Sequence, residues 1–126
     1  MAVKYVLSEK SNPMNPTEPK KWYANSKSDG EITLKALGKE ITQRSTVNHA
    51  DTLAVIEALT QVLTERLAEG KIVRFGDFGS FQVSIGSEGA ETEAKFSTSL
   101  IRTKKVTFRP GVDLKEMLNN LKFEKA

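Results

Sequence analysis

The feature that most limits what this chain can fold into is a long apolar helix predicted between Asn48 and Gly70. Asn48 begins a capping pattern with Asp51, and Gly70 stands just past the end, where glycine is favoured. The apolar side chains cover roughly half of the circumference, whereas a surface helix of a monomer usually has a stripe about 100° wide. These side chains are Leu53, Val55, Ile56, Leu59, Val62, Leu63 and Leu67. Such a helix needs two buried contacts, and we expect a second copy of the same helix to provide one of them, in a homodimer.

Two shorter helices and three strands are predicted around this helix. Thr33 can cap a helix that runs to about Arg44, and Asp113 can cap a short helix near the C-terminus. Alternating apolar residues predict strands over 71–75, 80–85 and 102–108, with a long loop before the third. The order of helix, helix, three-stranded antiparallel sheet and helix predicts an α+β domain over residues 32–126.

Residues 1–31 differ from the rest and are predicted to form an extended N-terminal extension. The stretch 3–7 alternates as a short strand, and three prolines between positions 13 and 19 prevent a helix or a central strand after it. We expect this segment to lie along the main domain, with Trp22 and Tyr23 as its anchors.

The stretch R-F-G-D-F-G-S-F at residues 74–81 contains D-F-G, the triplet that holds magnesium in protein kinases. The chain has no kinase glycine-rich loop, strand lysine or catalytic loop, and Gly76-x-x-Gly79 lacks the lysine and hydroxyl residue of a phosphate loop. The alternative is a tight turn between two strands. In that turn the glycines supply backbone angles that other residues resist, and Phe75, Phe78 and Phe81 are buried in the core and the dimer interface. We favour the turn.

The composition argues against other chemical sites. There is no cysteine, which excludes disulfides and thiolate catalysis, and His49 is the only histidine, too few for a metal centre. Glu88, Glu91 and Glu93 form a cluster without a histidine or serine partner, which favours a solvated acidic loop. We therefore expect no enzymatic activity, no metal, no cofactor and no small-molecule substrate.

The charge and hydropathy patterns bear on location and partners. No apolar run reaches the length of about 20 residues that spans a bilayer, and the N-terminus lacks the apolar stretch of a signal peptide. These features predict a cytoplasmic protein without a membrane partner. The net charge of +3 is concentrated after residue 70, where ten basic side chains face seven acidic ones. This asymmetry is weak evidence for a polyanionic partner, and on charge alone we favour the alternative, a solvated face near neutrality.

Several motifs between Thr33 and Leu121 resemble the HU/IHF family of bacterial histone-like DNA-binding proteins. Glu69-Gly70 closes the long helix, and the stretch from Gly76 to Phe81, G-D-F-G-S-F, is similar to the family's G-F-G-[ST]-F signature with one residue of difference around Asp77. The stretch 108–118, F-R-P-G-V-D-L-K-E-M-L, is similar to the family's F-x-x-G-x-x-L-K-x-x-[LV] ending. The extension and the residues after 119 resemble a longer, HU-related branch.

The resemblance implies an intertwined homodimer that binds duplex DNA with little sequence preference and is associated with the nucleoid. Its sheet would form a basic seat, and a β-arm over residues 86–101 with its flanking strands would enter the minor groove. The expected DNA-binding residues are Lys71, Arg74, Lys95, Arg102, Lys104, Lys105 and Arg109. The expected dimer interface comprises Leu53, Ile56, Leu59, Leu63, Phe75, Phe78 and Phe81.

The predicted arm departs from the family pattern in its charge and in its tip. Residues 86–101 carry three glutamates and one lysine, and they contain no proline to wedge between base pairs. Carboxylates near phosphates oppose the counterion release that drives binding, so we expect weaker bending than in HU. The alternative is a protein-interaction or assembly module that keeps the dimeric fold with weak or no DNA binding.

Overall fold

The computed structural model describes all 126 residues, whose contacts divide them into two units. Unit 1 comprises Met1–Thr33 and Met117–Ala126, and unit 2 comprises Leu34–Glu116. Residues 117–126 were assigned to the main domain from the sequence, but in the structure they make their contacts with the N-terminal residues.

Unit 1 contains a three-stranded sheet in the order β2-β1-β6. Strands β1 (Val3–Lys10) and β2 (Lys21–Lys27) form an antiparallel hairpin, and β6 (Phe123–Lys125) pairs with β1 in parallel. The predicted strand over 3–7 lies within β1, whereas β2 and the pairing with β6 were not predicted. The three prolines all lie in the loop between β1 and β2, where no backbone donor is needed for the ladder.

Trp22 and Tyr23, the expected anchors of this segment, lie on β2. Trp22 is 64% exposed and Tyr23 is 47% exposed, and every residue of β2 is exposed. The hairpin is held by backbone pairing along its full length and by the C-terminal residues. The Val3 N–H donates to the Lys122 carbonyl at 2.8 Å, and the Ala126 N–H donates to the Tyr5 carbonyl at 2.9 Å.

Unit 2 begins with two helices, α1 (Leu34–Gln43) and α2 (His49–Ala68). The predicted caps of α2 are confirmed: the Asp51 N–H donates to Asn48 Oδ1 at 2.9 Å, and Gly70 has a φ of 83°. The Gly70 N–H donates to the Leu67 carbonyl and the Lys71 N–H to the Arg66 carbonyl, the paired bonds of a Schellman motif. Local chemistry thus sets both ends of the long helix.

Gly38 in α1 lets the two helices approach closely. A Cβ atom at this position would lie 2.8 Å from Leu53 Cδ2 and 3.7 Å from Ile56 Cδ1. Glycine in a helix costs about 1 kcal/mol relative to alanine. The close packing of α1 against α2 explains why Gly38 is found here despite that cost.

The rest of unit 2 is a three-stranded antiparallel sheet in the order β3-β4-β5, as expected. Its strands are β3 (Val73–Arg74), β4 (Gly79–Ser87) and β5 (Ile101–Pro110). Helix α3 (Val112–Asn119) follows, and its last three residues are counted with unit 1. Because β3 pairs only with Ser80 and Phe81, the remainder of β4 and β5 is a two-stranded ribbon. None of the three helices combines the length and the apolar character that a membrane-spanning segment requires.

Asp77 and Phe78 of the D-F-G triplet lie in the turn between β3 and β4, as predicted, and Gly79 begins β4. The Phe78 N–H donates to the Phe75 carbonyl at 3.0 Å, and Gly76 has a φ of 52°. The Asp77 and Phe78 carbonyls accept bonds from the N–H groups of Asp113 and Gly111, at the start of α3. Helix α3 begins at Val112, so Asp113 lies in its first turn and is not the predicted cap. The carbonyls of the β3-β4 turn accept hydrogen bonds from amides at this end of the helix and take the place of a capping side chain.

Four phenylalanine rings pack together behind this turn. Phe81 lies 4.8 Å from Phe108 and 5.5 Å from Phe75, measured between ring centroids, and Phe78 lies 5.8 Å from Phe108. Gly79 is buried at the centre of the group, where a Cβ atom would lie 2.6 Å from both Phe108 Cζ and the Arg109 carbonyl oxygen. The phenylalanines in and around the turn thus pack together and join β3, β4 and β5 through their ring contacts.

Replacing Gly79 with alanine is expected to lower the free energy of unfolding by about 2–3 kcal/mol, because the added methyl group would overlap Phe108 and backbone. Gly89→Ala is the matched control, since a Cβ atom there would have no neighbour within 4 Å. Urea unfolding of both variants measures the difference, and equal stabilities would contradict the close packing described here.

Candidate nucleic-acid interface

One face of the β3-β4-β5 sheet is polar and basic. Arg74 is paired with Ser80, and Ser80 with Arg109, so the two guanidinium side chains lie on either side of a serine across three strands. Lys105 is paired with Ser84 further along the ribbon. Because residues two apart on a strand point to the same face, all three cations share it. We call this surface the basic face.

Hydroxyl and amide side chains fill the positions between these cations. They are Ser80, Gln82, Ser84, Thr103 and Thr107. Ser84 Oγ and Thr107 Oγ1 lie 2.9 Å apart in a hydrogen bond. The basic face therefore presents donors along its length, and it carries no carboxylate in β3, β4 or β5.

The opposite face of the sheet is apolar. Phe81 is paired with Phe108, Val83 with Val106, and Ile85 with Lys104. Val106 is 59% exposed and Ile85 is 64% exposed, so the ribbon part of this face is uncovered in the single chain. Lys104 lies on this side, so the structure separates Lys104 from Lys105, with which it had been grouped.

Three of the expected DNA-binding side chains are already paired with carboxylates. Lys71 Nζ lies 3.2 Å from Glu69 Oε2, Lys95 Nζ lies 3.2 Å from Glu91 Oε2, and Arg102 Nε lies 3.4 Å from Glu88 Oε1. In contrast, Arg74, Lys104, Lys105 and Arg109 make no ion pair. The cations of the basic face that make no ion pair are therefore Arg74, Lys105 and Arg109.

The acidic loop between β4 and β5 is more compact than an extended arm. It contains two single-turn 3-10 helices, Glu93–Lys95 and Thr98–Leu100, and the Glu88 N–H donates to the Leu100 carbonyl at 2.9 Å. Arg102 lies at an irregularity in the strand pairing, where Gly86 pairs with Thr103 and Ser87 with Ile101. The bulge places Arg102 beside Glu88 at the end of the ribbon.

Sequence reasoning missed the hydroxyl and amide residues of the basic face. The signal was available in the alternation of β4, where Ser80, Gln82 and Ser84 stand at every second position between apolar residues. The same alternation that predicts the strand therefore also assigns its solvent face.

The residues expected at the dimer interface occupy several environments in the single chain. Leu53 and Ile56 are half-buried beside Gly38 of α1, and Leu63 is also half-buried. Leu59 is 47% exposed, between Val55 at 64% and Val62 at 52%. One side of α2 thus packs against α1 within the chain, and a second, apolar side is exposed to solvent. The phenylalanines of the set, Phe75, Phe78 and Phe81, belong to the aromatic cluster.

A family model described as an HU domain fused to a wHTH, Ig or glycine-rich motif matches residues 1–125. The chain belongs to this HU family. The match includes the β1-β2 hairpin and all of β6, so unit 1, except for Ala126, lies within the region that defines the family.

Similar proteins include the DNA-binding protein HU of Thermotoga maritima, which is 26% identical over 87 residues, 68% of this HU-family chain and 97% of that protein. The integration host factor alpha subunit of Pseudoalteromonas atlantica is 28% identical over 93 residues, 72% of this chain and 95% of that subunit.

A crystal structure of a Bacteroides vulgatus protein shares the fold of the HU-family chain. It aligns with a TM-score of 0.67 at 14% identity and covers 98% of this chain. This chain spans about half of that protein, 47% of its length.

Proposed function

We propose that this chain is a histone-like DNA-binding protein that acts as a homodimer and contacts the phosphates of duplex DNA with little sequence preference. The observation that carries the proposal is the basic face, where Arg74, Lys105 and Arg109 lie free of carboxylates among hydroxyl and amide donors. The HU and integration host factor names of the relatives support DNA as the partner.

The chemistry of the basic face suits phosphate better than base edges. Guanidinium groups bind phosphate oxygens with two parallel hydrogen bonds, and Ser, Thr and Gln side chains add further donors. The guanidinium groups of Arg74 and Arg109 lie on the three-stranded part of the sheet, on either side of Ser80, and not at the tip of the ribbon. Contacts of this kind fix a protein on the duplex without reading its sequence.

The exposed apolar surface supports a dimer. The chain leaves 10712 Å² accessible, whereas a compact monomer of 14.0 kDa exposes about 6,700 Å². Leucine and valine side chains of α2 and the apolar side of the ribbon contribute to the excess. A second copy that covers the open side of α2 would give the intertwined arrangement expected from the sequence, with Leu59 and Leu63 at its centre.

The remaining expected cations have a secondary part in this proposal. Lys71, Lys95 and Arg102 must leave Glu69, Glu91 and Glu88 before they can contact phosphate, and Lys104 lies on the apolar side of the ribbon. Because the loop is acidic and has no proline, we propose that any bending of the duplex is weaker than in HU.

The test is a binding titration of labelled duplex DNA at several salt concentrations. The three free cations of the basic face on each protomer should by themselves contribute about −5 to the slope of log K against log[salt]. Two duplexes of unrelated sequence should bind with affinities within a few-fold of each other. Absence of binding at low salt, or a slope near zero, would contradict the proposal.

A protein-interaction module is the second candidate, favoured by the ion-paired acidic loop. The pair between Arg102 and Glu88 lowers the positive charge at the tip of the ribbon, where an HU-like arm would enter the minor groove. A folded dimer that binds no duplex DNA at low salt would support this candidate over the first.

A further inference from the structure

The β2-β1-β6 sheet of unit 1 has two chemically different faces. Tyr5, Leu7 and Trp22 lie on one side, where Leu7 pairs with Ala24 and Phe123 pairs with Val3. The other side carries four lysines, Lys4, Lys10, Lys21 and Lys27. We call it the lysine face. The separation is not evident from the composition, because residues 1–31 contain five basic and four acidic side chains and have a net charge of only +1.

The strand register sets these lysines directly opposite one another. Lys4 is paired with Lys27 at one end of the hairpin, and Lys10 is paired with Lys21 at the other. Like charges directly opposite each other on neighbouring strands destabilise a sheet. The one acidic residue of the hairpin strands, Glu9, is paired with Trp22 and lies on the apolar side, where it does not screen the lysines.

Neighbouring carboxylates neutralise only one of the four lysines. Lys4 Nζ lies 3.4 Å from Asp29 Oδ1, and Lys4 is also paired in register with Glu124 of β6. Glu18, in the hairpin loop, accepts hydrogen bonds from the side-chain amides of Asn12 and Asn15. Lys10, Lys21 and Lys27 are exposed and make no ion pair.

Apart from Val6, the side chains between the two lysine pairs are hydrogen-bond donors of the kind that contact phosphate. Tyr23 is paired with Ser8, and the Asn25 side-chain amide donates to Ser8 Oγ at 2.7 Å. Lys10, Lys21 and Tyr23 also border a concavity of about 400 Å³ at the loop end, together with Ser11, Asn12 and Glu18. The lysine face thus combines uncompensated charge with tyrosine, serine and amide groups.

The spacing of the lysine pairs matches an extended polyanion better than a single small anion. Six residues separate Lys4 from Lys10, which is roughly 20 Å along a strand. A duplex axis of that length carries about twelve phosphates. We infer that the lysine face is a second phosphate-binding surface of this protein, which contacts the backbone of duplex DNA independently of the basic face.

This inference rests on the proposed function, and the experiment separates the two. The full-length triple variant Lys10→Gln/Lys21→Gln/Lys27→Gln removes the unpaired lysines and leaves Lys4 with Asp29. Its affinity for duplex DNA should fall by about tenfold or more, and the salt slope should decrease by about 2–3 for each lysine face engaged. The matched control, Lys35→Gln/Lys39→Gln/Lys115→Gln, removes three exposed lysines from helices and should change affinity less than about twofold.

Thermal unfolding supplies a second measurement. Because the glutamines relieve repulsion between opposed lysines, the triple variant should unfold at a temperature equal to or above that of the wild type. A lower unfolding temperature would mean that the lysines stabilise the hairpin, which would overturn the inference.

The outcomes distinguish the two proposals. If the wild type binds duplex DNA with a strong salt dependence and the lysine variant matches the helix control in affinity and slope, the lysine face is not a binding surface and the proposed function stands. If the wild type binds no duplex DNA, both proposals fail. Retained affinity for a single-stranded RNA alone would likewise overturn the assignment to duplex DNA.

Discussion

Reversing the three charges of the basic face, in Arg74→Glu/Lys105→Glu/Arg109→Glu, is expected to abolish measurable binding to duplex DNA. Each protomer would lose three cations that make no ion pair and would gain three carboxylates on the same surface. Loss of several phosphate contacts lowers affinity by about a thousandfold or more at moderate salt. Fluorescence anisotropy with labelled duplex at low and moderate salt measures the effect.

A control of equal charge separates the face from the overall charge. Lys35→Glu/Lys39→Glu/Lys115→Glu makes the same change in net charge on exposed helical positions. We expect it to weaken binding only several-fold, through long-range electrostatics. Circular dichroism should show both triple variants folded, because all the substituted side chains are exposed. Equal losses of affinity in the two variants would refute the assignment of the interface to the basic face.

Replacing Leu59 with aspartate is expected to unfold the protein. In the isolated chain Leu59 is 47% exposed, and a substitution at such a surface position normally changes stability by about 0.5 kcal/mol or less. In a dimer with α2 against α2, the aspartate would be an unpaired charge in an apolar interface and would cost about 3–5 kcal/mol per protomer. That is a large fraction of the stability of a typical domain.

Two measurements and one control decide this prediction. Circular dichroism should show loss of helix, and size-exclusion chromatography with light scattering should show no compact species of monomer mass. Gln61→Asp introduces the same charge at an exposed polar position two residues along α2 and should leave the dimer intact. A folded monomer of Leu59→Asp would refute the interlocked dimer.

Unit 2 could be predicted in detail because its signals are local. The caps of α2 depend on Asn48, Asp51 and Gly70, which are close in sequence to the amides and carbonyls they satisfy. Period-two alternation located β4 and β5, and the glycines of the turn marked the connection between β3 and β4. Each of these features is decided within a few residues, so the sequence is sufficient.

The candidate site was only partly predictable. The residue types of the basic face were recognised, but the pairing of Arg74 and Arg109 with Ser80 depends on the register between three strands. The ion pair between Glu88 and Arg102 depends on the path of a loop that has no period, and it removes a cation that the sequence had counted as free. Register and loop path are properties of the folded chain.

The sequence by itself determined the helices and the strands of unit 2, the turn at D-F-G, and the excess of apolar surface on α2 that suggests a partner. Only the tertiary structure decided that β6 pairs with β1 and that four lysines share one face of the hairpin. The physical reason is the range of the interactions. Caps, turns and periodicities join residues a few positions apart. The pairing of Val3 with Phe123 joins the two ends of the chain, and the alternation of residues 3–7 does not identify the strand that pairs with it.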